Sequence, residues 1–484
     1  MPKNMEILDK FFNPKGVAII GASATEGKPG NVTLKNFIEN KEKGILKAEI
    51  YPVNPKHKEI LGLKCYKSVT DIPGSVDLAV VIVPAPFVPQ VMEDCGKKGI
   101  KAAIIISAGF SEIGNVELEN KVKEICERHG IRVIGPNGLG VFDAYTGVDT
   151  MFVPQYKEAE GKLMLATPRP DKGYITLISQ SGAFGVAALD YMKGEGIGVS
   201  KFISYGNKMD VDEADLMEYL AKDPTTKAIL IYVESIENGR RFMKAAKKVV
   251  KEKPIVVFKA GRTEAGSRAA ASHTAALAGS DRVYDAAFKQ CGVVRAETME
   301  DFFDFGKALA MQPPAKGRNI AILTDGGGAG VMAADALEFL GLNVIQLSEE
   351  TLEKFEQLKK NKILPPFAVY KNPIDLTGSA DTRMYVESMK ILMEDENVHG
   401  VVLIALHHPP LISFDLPEKI AEVIRNYDKP VVACDVGEAE MSKAFRKKFD
   451  SHDIPAYPSP ERASRAMYAL VKYGEYRRKV LEYE

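Results

Sequence analysis

Residues 172–185 read KGYITLISQSGAFG, a short apolar run, then a turn of hydroxyl residues and glycine, then a helix-like segment. An apolar run bounded by such a turn is a buried parallel strand feeding a helix. The pattern starts again at 15–23, KGVAIIGAS, and at 316–330, KGRNIAILTDGGGAG. Further apolar runs follow each start. VDLAVVIV (76–83), KAAIIIS (101–107) and IRVIG (131–135) belong to the first, KAILIYV (227–233) and KPIVVF (253–258) to the second, and GVVLIAL (400–406) and KPVVACD (429–435) to the third. Helical stretches of about 10–15 residues separate them, which predicts an α/β chain of three doubly wound domains. The polar, Gly/Pro-rich stretch EAEGKLMLATPRPDKG (158–173) and QPPAKG (312–317) mark the joins. The expected domains are therefore 1–146, 147–312 and 313–484.

The 484 residues carry a net charge of -1, which offers no basic field for nucleic acid or an anionic membrane. The five cysteines are far apart, form no CxxC and read as buried free thiols of a reducing compartment. With no apolar h-region or membrane-length apolar run, the expected location is the cytoplasm.

Ligands of open parallel sheets sit at the carboxyl ends of strands, where helix N-termini offer unpaired N–H groups. Each glycine turn is thus either an anion site or simply a tight strand-to-helix turn. The first turn, GASATEG (21–27), misses the GxGxxG spacing of a dinucleotide fold. The second run ends YPVNPK (51–56), placing Lys56 where a carboxylate would hold a ribose 2′-OH. Both departures count against NAD and an oxidoreductase. They suit a ribose that carries phosphate, as the 3′-phosphate of coenzyme A does, unless Lys56 is only a solvated loop lysine.

VPAPF (83–87), SAGFSE (107–112) and GPNGLG (135–140) resemble the coenzyme A-binding domain of the succinyl-CoA synthetase α subunit. Over nearly its whole length the chain is similar to the α subunits of the NDP-forming acyl-CoA synthetase family. The resemblance implies a Rossmann-like coenzyme A-binding domain followed by two flavodoxin-like domains. It assigns coenzyme A to Gly21, Ser23, Lys56, Val83, Pro84, Pro86, Ser107, Glu112 and Asn137. Gly138 departs from the Cys often found in relatives.

AGSRAAASHTAALAGSD (265–281) sets His273, one of only seven histidines, among small residues and without zinc-ligand companions. The family's catalytic histidine, phosphorylated during turnover, lies on a loop of pattern SHTG-small-LAG. The resemblance therefore makes His273 the phosphoryl carrier, with small neighbours leaving room for a phosphate and for movement. Ala275 replaces the usual Gly, which strains the loop if that position needs a positive φ. The resemblance also implies that Glu234, directly after the run KAILIYV, orients the ring and stabilises the phosphoimidazole. It makes the turn at Ser179, Ser181 and Gly182 a cradle for the phosphohistidine, and the turn at Gly327 and Gly328 a second phosphate-facing helix start. Asp325 stands where an amide is often found, and opposes an anion unless it turns outward to cap. GNKMDVD (206–212) reads as a turn in which Asp212 caps the next helix, in preference to a metal loop. Asn372–Leu376 and His407-His408-Pro409-Pro410 read as structural loops.

There is no GxxxxGK[ST] and no stretch left for an ATP-grasp domain. The resemblance thus implies an ATP-grasp β partner in an α2β2 assembly, with Mg2+ arriving with ADP or ATP mainly on that partner. The expected reaction is acyl-CoA + ADP + phosphate to carboxylate + ATP + coenzyme A, acetyl-CoA being the family's typical acyl donor. A non-catalytic coenzyme A-binding regulatory or scaffold protein of the same fold is the alternative.

Overall fold

The computed structural model describes the backbone of residues 3–274 and 280–482, and the side chains of 5–269 and 280–482. Residues 275–279, with Ala275 among them, lie outside the described residues. Met1–Phe288 forms one compact unit and Lys289–Glu484 another.

The first unit contains two open sheets. In the first, β1 (Gly16–Ile20), β2 (Glu49–Val53), β3 (Leu78–Val81), β4 (Ala102–Ile105) and β5 (Arg132–Ile134) run parallel in the order β2-β1-β3-β4-β5. The order reverses beside β1, and the turn after it leads into α1 (Pro29–Glu42). Gly21 has φ 95°, and a Cβ there would stand 2.3 Å from the Ile82 carbonyl oxygen. That glycine is required by the close approach of two chains, whatever else the turn does.

The second sheet opens with β6 (Gly140–Asp143), antiparallel to β10 (Val199–Ser204). The join expected near 146 leaves β6 with the first domain, yet its backbone pairs with the second sheet. Its partners are β9 (Lys172–Ser179), β11 (Ala228–Val233) and β12 (Ile255–Lys259), in the order β12-β11-β9-β10-β6. All except β6 are parallel, and β9 and β11 bury their Ile, Leu and Val side chains. The stretch read as marking a domain join forms a hairpin, β7 (Tyr156–Ala159) with β8 (Lys162–Leu165). Its two-residue turn has φ 52° at Glu160 and 72° at Gly161, as a tight hairpin connection requires. Around the second sheet lie α2 (Gly182–Gly194), α3 (Glu213–Leu220), α4 (Gly239–Val249) and α5 (Glu264–Thr274). Asp212 caps α3, accepting from the Ala214 and Asp215 N–H groups at 2.9 and 3.1 Å.

The second unit is built on β13 (Asn319–Thr324), β14 (Asn343–Val344), β15 (Val369–Tyr370), β16 (Ile374–Asp375), β17 (Gly400–Ile404), β18 (Val431–Cys434) and β19 (Ala456–Tyr457). They run β15-β16-β13-β17-β18-β19, with β14 also on β13; only the β15–β16 pair is antiparallel. β13 feeds α6 (Gly327–Phe339), and α7 (Thr382–Glu394), α8 (Glu440–Asp450) and α9 (Pro460–Glu482) are among the unit's further helices. No helix among the described residues is long and apolar enough to cross a membrane.

Candidate functional site

In the first unit the strand ends of both sheets open on one cavity of about 1190 Å³. From the first sheet's side it receives Ser111, Glu112 and Asn137; from the second, Ser181, Gly182 and Glu234. Five residues named from the sequence, Glu112, Asn137, Ser181, Gly182 and Glu234, therefore line one cavity. The wall also carries Glu119 and Glu237 and, among the described residues, no Lys, Arg or His.

Glu234 follows β11 directly and is 8% exposed. The Tyr232 hydroxyl donates to its Oε1 at 3.4 Å. Its backbone is clamped by Gln180, whose Oε1 accepts from the Glu234 and Ser235 N–H groups at 2.9 and 3.1 Å. The Gln180 Nε2 donates to the Ser235 hydroxyl at 3.3 Å. Gln180 thus ties the turn after β9 to the turn after β11 and sets where the carboxylate starts. Sequence reasoning quoted Gln180 without giving it a role, because its partners lie 54 and 55 positions away.

The same turn begins α2. The Ser181 hydroxyl accepts from the Phe184 N–H at 3.3 Å and caps the helix. Ser179 is fully buried, and its hydroxyl donates to the Ser181 carbonyl at 2.6 Å, so it shapes the turn and does not line the cavity.

Across the cavity Glu112 lies in the turn after β4. Its carboxylate accepts from the Gly109 N–H at 2.5 Å and the Phe110 N–H at 3.1 Å. Burial pushes its carboxyl up, but hydrogen bonds from Asn207, Gly109 and Phe110 outweigh that and hold it below the ordinary value. Asn207 is the other residue sequence reasoning missed. Its Nδ2 donates to Ser111 Oγ at 3.0 Å, Glu112 Oε2 at 2.7 Å and Glu119 Oε2 at 2.9 Å, and its Oδ1 accepts from Asn137 Nδ2 at 3.2 Å. One amide from the second sheet's loops therefore gathers three acceptors from the first. Beside it Gly206 has φ 53°, and a Cβ there would stand 2.1 Å from the Pro136 carbonyl oxygen. A glycine is what lets these two loops touch.

The remaining residues expected to meet coenzyme A form a row along the carboxyl edge of the first sheet and do not line this cavity. Gly21 and Ser23 follow β1, Val83, Pro84 and Pro86 follow β3, and Ser107 follows β4. The Ser107 hydroxyl donates to the Val83 carbonyl at 2.5 Å, which joins two of these turns. Lys56 is exposed on the loop after β2. The row sits at the reversal of strand order, where such sheets take nucleotides.

His273 lies in the last turn of α5, whereas the sequence suggested a loop. The run RAAASH supplies strong helix formers, and local propensity accounts for the difference. Its side chain lies outside the described residues. α5 runs beside the turn Ser111–Ile113 at the cavity wall. Gly327 and Gly328 open α6 in the second unit.

Three family models match: a CoA binding domain over 15–143, a succinyl-CoA ligase like flavodoxin domain over 172–309, and a Ligase-CoA domain over 320–478. The chain is 44% identical to the acetate–CoA ligase [ADP-forming] I subunit alpha of Pyrococcus furiosus, covering 98% of this chain and 99% of that one. It is 41% identical to acetate–CoA ligase [ADP-forming] I of Archaeoglobus fulgidus, of which it spans 64%. Among solved structures it superposes on the dinucleotide forming acetyl-coenzyme A synthetase 1 of Ca. Korarchaeum cryptofilum, in complex with phosphate and ADP. That match has a TM-score of 0.87 and 38% identity and covers 98% of each chain. The chain belongs to the family of ADP-forming acetate–CoA ligase α subunits.

Proposed function

We propose that this chain is the coenzyme A- and phosphoryl-handling subunit of an ADP-forming acyl-CoA synthetase, acting on a small acyl-CoA such as acetyl-CoA in the cytoplasm. The observation that carries the reading is the single cavity holding Glu112 and Asn137 opposite Glu234 and the Ser181–Gly182 helix tip. Groups expected to meet coenzyme A and groups expected to meet phosphate open on the same space. The row of strand-end turns from Gly21 to Ser107, at the reversal of strand order, would take the rest of coenzyme A.

Phosphate oxygen attacks the acyl-CoA carbonyl carbon; the C–S bond breaks, and coenzyme A leaves as the thiol after taking a proton. An imidazole nitrogen of His273 then attacks the phosphorus of the acyl phosphate. The P–O bond to the acyl group breaks, and the carboxylate departs. A lining with four glutamates and, among the described residues, no basic one suits a ring that becomes cationic on phosphorylation, with Glu234 on its N–H. The α2 N-terminus supplies N–H groups to the phosphoryl oxygens. The phosphoryl group passes to ADP, with Mg2+, on an ATP-grasp β partner, in an α2β2 assembly. Positioning and anion stabilisation supply the catalysis.

The chain and its partner incubated with radiolabelled ATP are expected to give an acid-labile, base-stable phosphate on this subunit. His273→Ala is expected to abolish the label and ATP formation from acetyl-CoA. A His273→Ala complex that still made ATP at the wild-type rate would overturn the reading.

A further inference from the structure

The stretch GNKMDVD (206–212), read from the sequence as a turn ahead of α3, carries a buried lysine that the reaction above leaves unused. Lys208 is 6% exposed and has φ 49°, in the left-handed region that favours glycine. A side chain held there strains the backbone, so the position keeps a lysine against its local preference. The turn is fixed on either side of it. The Asn207 and Met209 N–H groups donate to the Pro136 and Gly135 carbonyls at 2.9 and 3.0 Å. Asp210 accepts from Arg132 Nε at 2.9 Å and from the Val133 N–H at 2.7 Å, both on β5 of the first sheet.

From this fixed turn the Lys208 Nζ donates to the Ser235 carbonyl at 2.6 Å and to Glu213 Oε1 at 2.8 Å. Glu213 is the first residue of α3 and is buried, and its Oε1 also accepts from the fully buried Tyr205 hydroxyl at 2.9 Å. Desolvation cancels most of the attraction within a buried ion pair, so the pair adds little net stability. What it adds is direction. Ser235 follows Glu234 directly, and Gln180 already holds the N–H groups of both residues. Gln180 thus fixes the donors of the Glu234 turn and Lys208 fixes its carbonyl, which leaves the turn little freedom to re-aim the carboxylate. Asn207, one residue before Lys208, gathers Ser111, Glu112 and Glu119 on the other side of the cavity. One short turn therefore sets both a loop expected to meet coenzyme A and the carboxylate expected to meet the ring.

We propose that Lys208 is a positioning residue: its ammonium, anchored on Glu213, fixes the Ser235 carbonyl and through it the Glu234 carboxylate for phosphoryl transfer to and from the His273 ring. This rests on the reading above, in which Glu234 orients that ring. Lys208 is not among the residues lining the cavity, so it acts through the Glu234 turn and not by touching phosphate. The coenzyme A side keeps the bonds that Asn207 makes on its own.

The test uses the full chain with its partner. Lys208→Met keeps most of the side chain's length and removes its N–H donors. Both kcat and the rate of acid-labile labelling from ATP are expected to fall about 10- to 100-fold, with the KM for acetyl-CoA within about twofold of wild type. Lys208→Gly relieves the backbone and is expected to be as slow, which a role in turn geometry alone would not give. Lys208→Met combined with Glu213→Gln removes the buried charge left without its partner. Its denaturation midpoint is expected to return toward wild type while kcat stays low. Should Lys208→Met fail to fold, the double variant carries the same rate comparison. A methionine or glycine variant at the wild-type kcat, a change confined to the KM for acetyl-CoA, or a double variant that regains kcat with its stability overturns the proposal. Labelling of the wild type is measured alongside. Labelling at an unchanged rate in the variants defeats this inference alone, and its absence from the wild type defeats the phosphohistidine reading and this inference with it.

Discussion

Gln180 and Asn207 each do with one amide what the surrounding loops cannot do for themselves. Gln180 accepts two N–H groups of the Glu234 turn and donates to Ser235. Gln180→Ala leaves those buried donors unmatched, a cost of about 1–3 kcal/mol, and frees the carboxylate from its place. Denaturant unfolding is expected to show that loss, and steady-state assays a fall in kcat. Glu234→Gln keeps the shape and removes the charge that balances a cationic ring; kcat is expected to fall about 100-fold with the denaturation midpoint nearly unchanged. Asn207→Asp adds a third carboxylate beside Glu112 and Glu119, so coenzyme A binding by calorimetry is expected to weaken most at low salt. Glu234 could be named from its place after a strand and from family resemblance. The two amides could not, because their partners are distant in sequence and meet only in the folded chain.

At the scale of elements, the strand-and-turn signature located all three sheets and their helix starts, since an apolar run ending in small residues is a local property. It could not show what each turn's side chains would face. Asp325 illustrates the difference. Burial raises its carboxyl from 3.8 to about 6, against hydrogen bonds from the Leu406 N–H and Tyr385. The folded chain therefore holds a proton that the unfolded chain has already lost, and stability falls as pH rises through that window. Above about pH 6 the full penalty, on the order of 1–3 kcal/mol, is present; near pH 4 it is nearly absent. Asp325→Asn is expected to raise the melting temperature at pH 7–8, with the gain shrinking toward pH 4. A gain independent of pH would contradict this account. The hairpin β7–β8 escaped the sequence reading for a related reason: Glu160-Gly161 is a sound turn, but both strands are exposed throughout and the apolar triplet Leu163–Leu165 stands alone in a polar stretch.

For the whole molecule, the five cysteines test how closed the native chain is. All five are buried, and burial pushes the Cys95 and Cys434 thiols far up and the Cys126 thiol to about 12. A thiol-specific reagent at neutral pH is expected to react with none of them in minutes on the native chain and with all five in denaturant. Rapid native reaction would mean the units open far more readily than their cores suggest. The thrice-repeated strand start settled the α/β class and located the three open sheets, because burial of apolar runs and the chemistry of turns act over a few residues. The tertiary structure alone decided that β6 joins the second sheet, that one cavity gathers Glu112, Asn137, Gly182 and Glu234, and that Lys208 reaches the Ser235 carbonyl. Those outcomes depend on which distant strand ends pack together, and no local pattern of residues carries that information.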